Sequence, residues 1–334
     1  MSTDTTISLP TSPRIDYLDL LKGFTILWIV WYHQPHPTFI DHYYHVPVFF
    51  FISGIVFKHK DFVSFVKGLV QHILIPFLFF YVTSYCFQII RFLFESQSLS
   101  GFEWSQVFDV FKLEYHRDYL RINRPLWFLV SLAVVQTLYQ LIYKLPRYCI
   151  FAICTIILLL KATITTWPTY FFFNQSIYWL TYFALGDIIG KQVVNKSKNN
   201  NTKKRYWRIY LIISCICLYC ISLFFFRNTN NTTLCNFLYD LRVISFVFFS
   251  ITLFSYFKGN NFLFRILRFY GKNSLTVLGT HLLFSITFGG FAFRLFGLTG
   301  NYWIGFAVFI LTALIMYPTI LFIRKFLPFC IGIN

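Results

Sequence analysis

Ten apolar stretches follow one another along this chain, and most approach the ~20 residues that a helix needs to cross ~30 Å of hydrocarbon. They run over Tyr17–Gln34, Tyr44–Phe57, Leu69–Phe94, Pro125–Tyr143, Tyr148–Trp167, Phe173–Gly190, Ile209–Phe226, Leu238–Phe257, Asn273–Phe293 and Tyr302–Ile323. A water-soluble fold could not cover so much apolar surface. Of the 334 residues 57% are apolar and only 12% are charged, about half the charged fraction of an ordinary soluble domain. Lipid removes the difficulty, because it accepts apolar side chains on every face of a helix. The expected fold is an all-α integral membrane bundle of about ten transmembrane helices. The second stretch is short for a crossing, and Pro47 is expected to break its start, which is tolerated only where protein or a water-filled cavity surrounds the backbone.

The formal charge is +17, but its placement argues against a nucleic-acid partner. The positive residues sit in short loops between apolar stretches, and they are asymmetric. With the N-terminus inside, 20 of the 29 Lys and Arg face the cytoplasm, and seven (Arg91, Lys112, Arg117, Arg121, Arg124, Arg227, Arg294) face outward. Lys161 and Arg242 fall within apolar stretches. The bias predicts that both termini are cytoplasmic, with the bacterial inner membrane as the expected location. Residues 1–16 then form a cytoplasmic tail without the residue order of a cleavable signal, so the first helix is expected to act as an uncleaved insertion signal. Residues 17–326 form the membrane domain, and 327–334 a C-terminal tail. Within the domain, 95–124 reads as a partly ordered outer loop and 191–208 as a solvated basic cytoplasmic loop. Six of the eight cysteines lie in apolar stretches, so no disulfide framework is implied. Cys215, Cys217 and Cys220 have no His or carboxylate nearby, and read as small apolar residues, with no metal expected.

Chemistry concentrates in the first two stretches. Asp19, Lys22, Ile26, Ile29 and His33 recur at steps of three and four, and so share one helix face. Three turns, or ~16 Å, separate Lys22 from His33. With Lys22 at the cytoplasmic headgroups, His33 reaches the middle of the hydrocarbon. His45 and His281, measured from Lys58 and Lys272, reach comparable depths of ~20 and ~14 Å. Ionisable groups at such depth are costly, and usually face a bundle interior or a water-filled path. Each histidine also has a plainer reading, as a hydrogen-bonded packing residue worth about 1 kcal/mol, and His45 beside Pro47 suits capping. Neutral imidazole is also a base that could take a proton from an alcohol attacking a thioester. Cations at the inner face could hold the phosphates of a coenzyme A donor. Lys22, Lys58 and Lys67 are candidates, with Arg14 either joining them or pairing with Asp16 or Asp19. For Lys58 and Lys67 simple topology is an equal explanation.

Asp19-Leu-Leu-Lys-Gly23, the eleven-residue step to His33, and His45-Val-Pro-Val-Phe-Phe-Phe-Ile-Ser-Gly54 resemble the acyltransferase 3 family, and within it the sugar O-acetylase-like branch. The resemblance extends to Gln71-His-Ile-Leu-Ile-Pro76, Leu126-Trp-Phe-Leu129 and Gly271-Lys-Asn-Ser-Leu275 followed by His281. It implies a ten-helix bundle, His33 as the essential histidine, and an acyl-CoA donor, acetyl-CoA first among them. The implied acceptor is a carbohydrate or glycolipid hydroxyl presented from the membrane or the outer side. Lys22 stands where the family more often has Arg, keeping the charge without the planar bidentate fork. The catalytic candidates are thus His33, Asp19, His45 and His281. The donor-binding candidates are Lys22, Arg14, Lys67 and Ser53. The competing reading is a glycan transporter or flippase whose histidines line a path; it needs a glycan-wide cavity and has no use for coenzyme A.

Overall fold

A computed structural model describes residues 15–34, 44–112, 120–164, 173–197, 202–297 and 302–333, and all of their regular structure is helical. Arg14 lies outside the described residues. The first half of the chain contains α1 (Asp16–Tyr32), α2 (His45–Val56), α3 (Phe62–Leu69), α4 (Ile75–Ser96), the short α5 (Asp109–Lys112), α6 (Trp127–Ile142) and α7 (Arg147–Thr163). The second half contains α8 (Phe173–Leu185), α9 (Lys191–Ser197), α10 (Thr202–Arg227), α11 (Thr232–Phe254), α12 (Phe262–Lys272), α13 (Ser274–Phe296) and α14 (Tyr302–Phe326). Among the described residues, six helical segments are long and apolar enough to cross a bilayer: Phe62–Ser96, Arg124–Ile142, Arg208–Arg227, Thr232–Phe254, Ser274–Leu295 and Tyr302–Phe326. The chain is therefore a multi-pass membrane protein. The remaining four apolar stretches coincide with α1, α2, α7 and α8, which are shorter.

Side-chain exposure separates the lipid-facing helices from the central ones. Only 11% of the α10 span is buried, against 56% of α11. Leu78, Val82, Ile213, Phe224, Leu314 and Phe322 are exposed apolar residues that lipid would cover. Two buried clusters fill the interior. One joins α2, α6, α7, α8 and α11, and the other joins α4, α13 and α14. α1 belongs to both, through Leu18, Leu20 and Leu21 in the first and Ile26, Ile29 and Val30 in the second. Trp127, Phe128 and Leu132 pack against both clusters, so the seam between them runs along α1 and α6.

Pro47 does not break the second helix. It sits in the first turn of α2, which runs unbroken from His45, where a missing N–H has no intrahelical partner to lose. α2 crosses α8 through a reciprocal pair of glycines. A Cβ at Gly54 would collide with the carbonyl of Phe183, and one at Gly186 with the carbonyl of Phe51. This is the close backbone approach that small residues permit between membrane helices. Gly54→Ala should therefore push the two helices apart at a cost of at least ~1–3 kcal/mol, seen as a lower thermal midpoint in detergent. An unchanged midpoint would mean that the crossing has slack.

Several segments read as loops are helical. Residues 258–272 contain α12, capped by Asn261, whose side chain accepts the Phe264 N–H at 2.8 Å. Its apolar face buries Tyr270 and Gly271 while Arg265 and Lys272 share the charged side, and that mixture hid it among loop charges. The 191–208 stretch contains α9 and the start of α10. Lys191 bonds Asp187 and, at 2.8 Å, the carbonyl of Phe57, and Arg208 is buried against the Tyr256 ring. A solvated loop would have left both cations in water. Lys67 lies on α3, whose start is capped by Asp61. The tail folds back as a 3₁₀ turn over Pro328–Ile331 that buries Ile331. Lys161 and Arg242 are accommodated by partners. Lys161 bonds Asp240 at 2.8 Å, and Arg242 stacks on the Phe226 ring at 4.2 Å.

The described part of the 95–124 segment is ordered. The Tyr81 hydroxyl donates to the carbonyls of Gln106 and Val107, and Tyr85 to that of Trp104. Arg121 joins Asp109 at 3.0 Å and Glu103 at 2.9 Å, and these carboxylates push its guanidinium pKa further above its ordinary value. Asn123 is buried and donates to the Ser84 hydroxyl and the Gly279 carbonyl, fixing the segment on α4 and α13.

Candidate functional site

The seam between the two clusters holds a cavity of about 210 Å³. Lys22, Ile26, Ile29 and His33 line it from α1, as the three-and-four spacing requires of one helix face. α2 contributes His45, Phe49 and Ser53, and α13 contributes Ser274 and Leu278. Trp127 and Phe128 close the side formed by α6, while His72 and Ile73 enter from the π-helical turn Val70–Leu74 that joins α3 to α4. Pro76 accounts for that turn: its ring crowds the His72 carbonyl four residues back and offers no N–H, so the chain widens just before it.

Two of the three histidines stand at helix ends. His33 caps the C-terminus of α1, one residue past its end, and His45 is the first residue of α2. The His33 and His281 rings meet edge to face with centroids 5.1 Å apart. Tyr32 bridges toward His45, 5.6 Å from each ring. Three helices therefore bring imidazoles to one level, as their sequence depths predict. The structure adds the hydrogen-bond partners. His33 Nδ1 is 2.8 Å from the Ile29 carbonyl, and His281 Nδ1 is 2.8 Å from that of Val277. A carbonyl can only accept, so in each neutral ring Nδ1 carries the hydrogen and Nε2 keeps the lone pair. Both rings are thus oriented as bases through Nε2. Gln34 supports the end of α1 by donating to the Val30 carbonyl and to Ser285 on α13.

A second cavity, of about 250 Å³, adjoins the first and shares Ser53, His72 and Ile73 with it as lining. Lys58 and Lys60 stand at this vestibule. The two adjoining cavities, together the route, are lined by Lys58 and Lys60 in the vestibule and by Lys22, His33 and His45 in the first cavity. His72 is fixed from outside by the folded-back tail, with Nδ1 at 3.0 Å from the Gly332 carbonyl. Gly332 has φ +71°, and a Cβ there would press on Gln71 and His72, so glycine is what lets the tail reach this ring.

Not every sequence candidate reaches the route. Lys22, Ser53, His33 and His45 line it, and His281 touches it through the His33 ring. Asp19 is buried at 4% exposure, but its backbone is turned against Gly271 of α12 and it does not line the cavity. Lys67 is exposed on the outer face of α3 and lines neither cavity. Lys60 takes the vestibule position instead, its Nζ 3.6 Å from where a Cβ on Gly68 would stand. His72, Trp127, Phe128 and Ser274 were not named as site residues from the sequence. The first three lie inside the motif stretches 71–76 and 126–129, and Ser274 lies in 271–275, so the signal was present at motif level without pointing to side chains.

The chemistry this geometry allows is the placement of a long, anionic-headed molecule with its charge at the lysines and its far end at the imidazoles of His33 and His45, His33 standing about 16 Å from Lys22 along α1. The family model described as an acyltransferase domain matches residues 15–321 of the chain. No curated protein and no solved structure matches it.

Proposed function

The chain belongs to the acyltransferase 3 family, and from that premise we propose that it is an O-acyltransferase of the cytoplasmic membrane. It takes an acyl group, acetyl in the simplest case, from cytoplasmic acyl-CoA and passes it to a hydroxyl of a cell-surface or lipid-linked carbohydrate. The observation that carries this reading is the route itself, with lysines at one end and Nε2 lone pairs at the other. Lys58, Lys60 and Lys22 hold the nucleotide and pyrophosphate, and the pantetheine arm lies along Ser53 and His72, carrying the thioester to His33. His33 Nε2 takes the proton of the acceptor hydroxyl as its oxygen attacks the thioester carbonyl. The C–S bond breaks, the ester stays on the acceptor, and the proton passes from His33 to the leaving thiolate. His281 and His45 orient the acceptor and the base. A flippase has no use for lysines in one cavity beside imidazoles in the next.

The membrane arrangement that goes with this reading has ten spans and both termini in the cytoplasm. It is supported by the excess of Lys and Arg on the inner loops. Single cysteines introduced at Lys258 and Ser98, in a background without the eight native cysteines, should label from opposite sides in intact cells, Ser98→Cys from outside only. Labelling of both from one side rejects the ten-span arrangement.

The function is tested by comparing surface glycans with and without the gene by mass spectrometry. A loss of one acyl mass per repeat supports the proposal and identifies the group carried. Identical glycans, with radiolabelled acetyl-CoA left unconsumed by membranes, reject it.

A further inference from the structure

A third cavity, of about 410 Å³, lies outside the catalytic route, between the outer end of α4 and the 95–124 segment. Its size falls within the range of small-molecule sites, ~300–1,000 Å³. Its wall charges cancel. Arg91 and Arg294 flank Glu95 at 3.2 and 3.5 Å, and Arg121 joins Glu103 at 2.9 Å and Asp109 at 3.0 Å, so three cations meet three carboxylates and no net charge favours an anion or a cation. Beside these pairs stand two amides, Gln88 and Gln106; each spends one N–H, on the Ile122 carbonyl and on Glu103 respectively, and keeps a second N–H and its oxygen to donate and accept. Phe102, buried at its base, adds an aromatic surface. Donors and acceptors in balance beside an aromatic ring match a neutral polyhydroxylated ligand, whose hydroxyls do both and whose ring C–H faces are apolar. The ion pairs account for the folding of the segment, but not for the open volume beside them.

The cavity is also tied to the reaction. Arg121 lines it and Pro125 lines the catalytic cavity. Four residues of chain reach at most ~14 Å, and Asn123 between them is locked to α4 and α13. A ligand held here lies one short, rigid connection from the imidazoles, on the side away from the lysines. We propose that this cavity is a subsite for an uncharged stretch of the acceptor glycan, gripping sugar units next to the one that is acylated. The inference rests on the acyl-transfer reading above for its purpose, and on the cavity alone for its chemistry.

The test uses the full-length protein in lipid nanodiscs, with maltohexaose, cellohexaose and N-acetylchitohexaose as neutral probes, read by saturation-transfer difference NMR. At least one should bind the wild type. Gln106→Trp, which fills the cavity, should abolish that signal. Gln88→Ala, which leaves the ion pairs intact, should weaken binding by about threefold to tenfold, the weight of one hydrogen bond, so the test does not depend on the bulkier variant folding. Absence of binding by all three probes, or binding unchanged in both variants, overturns the subsite. Acetyl-CoA titrated into the same samples keeps the two ideas apart. Loss of donor binding in the wild type would count against the acyltransferase reading, whereas glycan binding is decided by the NMR arm alone.

Discussion

Replacing His33 with alanine is expected to end acyl transfer while the protein still inserts in the membrane and still binds acetyl-CoA. Positioned general bases contribute ~10²–10⁴-fold, so the residual rate should fall by at least that factor. The expectation comes from two independent features. His33 is at the inner terminus of the route, three turns above Lys22 on the same face of α1. Its Nδ1 is committed to the Ile29 carbonyl, which leaves Nε2 to act as base. His281 has the same tautomer and touches His33, but is fully buried behind it. His281→Ala and His45→Ala should therefore cost less, as losses of orientation. All three variants are compared at matched expression, with acetyl-CoA binding as the folding control. Near-normal turnover in His33→Ala, with His45→Ala or His281→Ala inactive, would move the base to another helix.

The second large effect concerns the donor. Lys22→Ala is expected to weaken acetyl-CoA binding roughly tenfold or more, as the loss of a hydrogen bond between charged partners, and to reduce the salt dependence of binding because one phosphate contact disappears. Lys67→Ala is the informative contrast. Both are lysines that sequence reasoning placed on the cytoplasmic side and treated as donor ligands, but only Lys22 lines the route. Calorimetric titration at two salt concentrations should show a loss for Lys22→Ala and none for Lys67→Ala. Equal losses would mean that the lysines act through a diffuse surface field, and that the cavity does not select between them.

The missed and the recovered features differ in kind. Six of the ten apolar stretches return as helical segments long enough to span, legible because a membrane helix advertises itself locally, by the length and hydropathy of one segment. The stripe from Lys22 to His33 was legible because helix periodicity is local too. α12 was not, since its charged face gave it the composition of a loop, and it acquired meaning only when its apolar face met α1. Lys67 and Lys60 have the same local chemistry; α3 turns one toward the outside, while the 57–61 connection sends the other to the vestibule.

Residue order along the chain was enough to establish a membrane bundle, the family resemblance, and the common depth of three histidines. It could not say which atoms of those histidines are free to react. That depends on Ile29 and Val277 offering carbonyls at the right heights. Nor could it say that His72, bent inward by Pro76 and steadied by Gly332 from the far end of the chain, would join the route. Hydropathy and periodicity are properties of a single segment. A cavity is made by the surfaces of several segments distant in sequence, and its lining is settled by how closely their backbones approach, as at Gly54 and Gly186, where the absence of a Cβ sets the distance between α2 and α8.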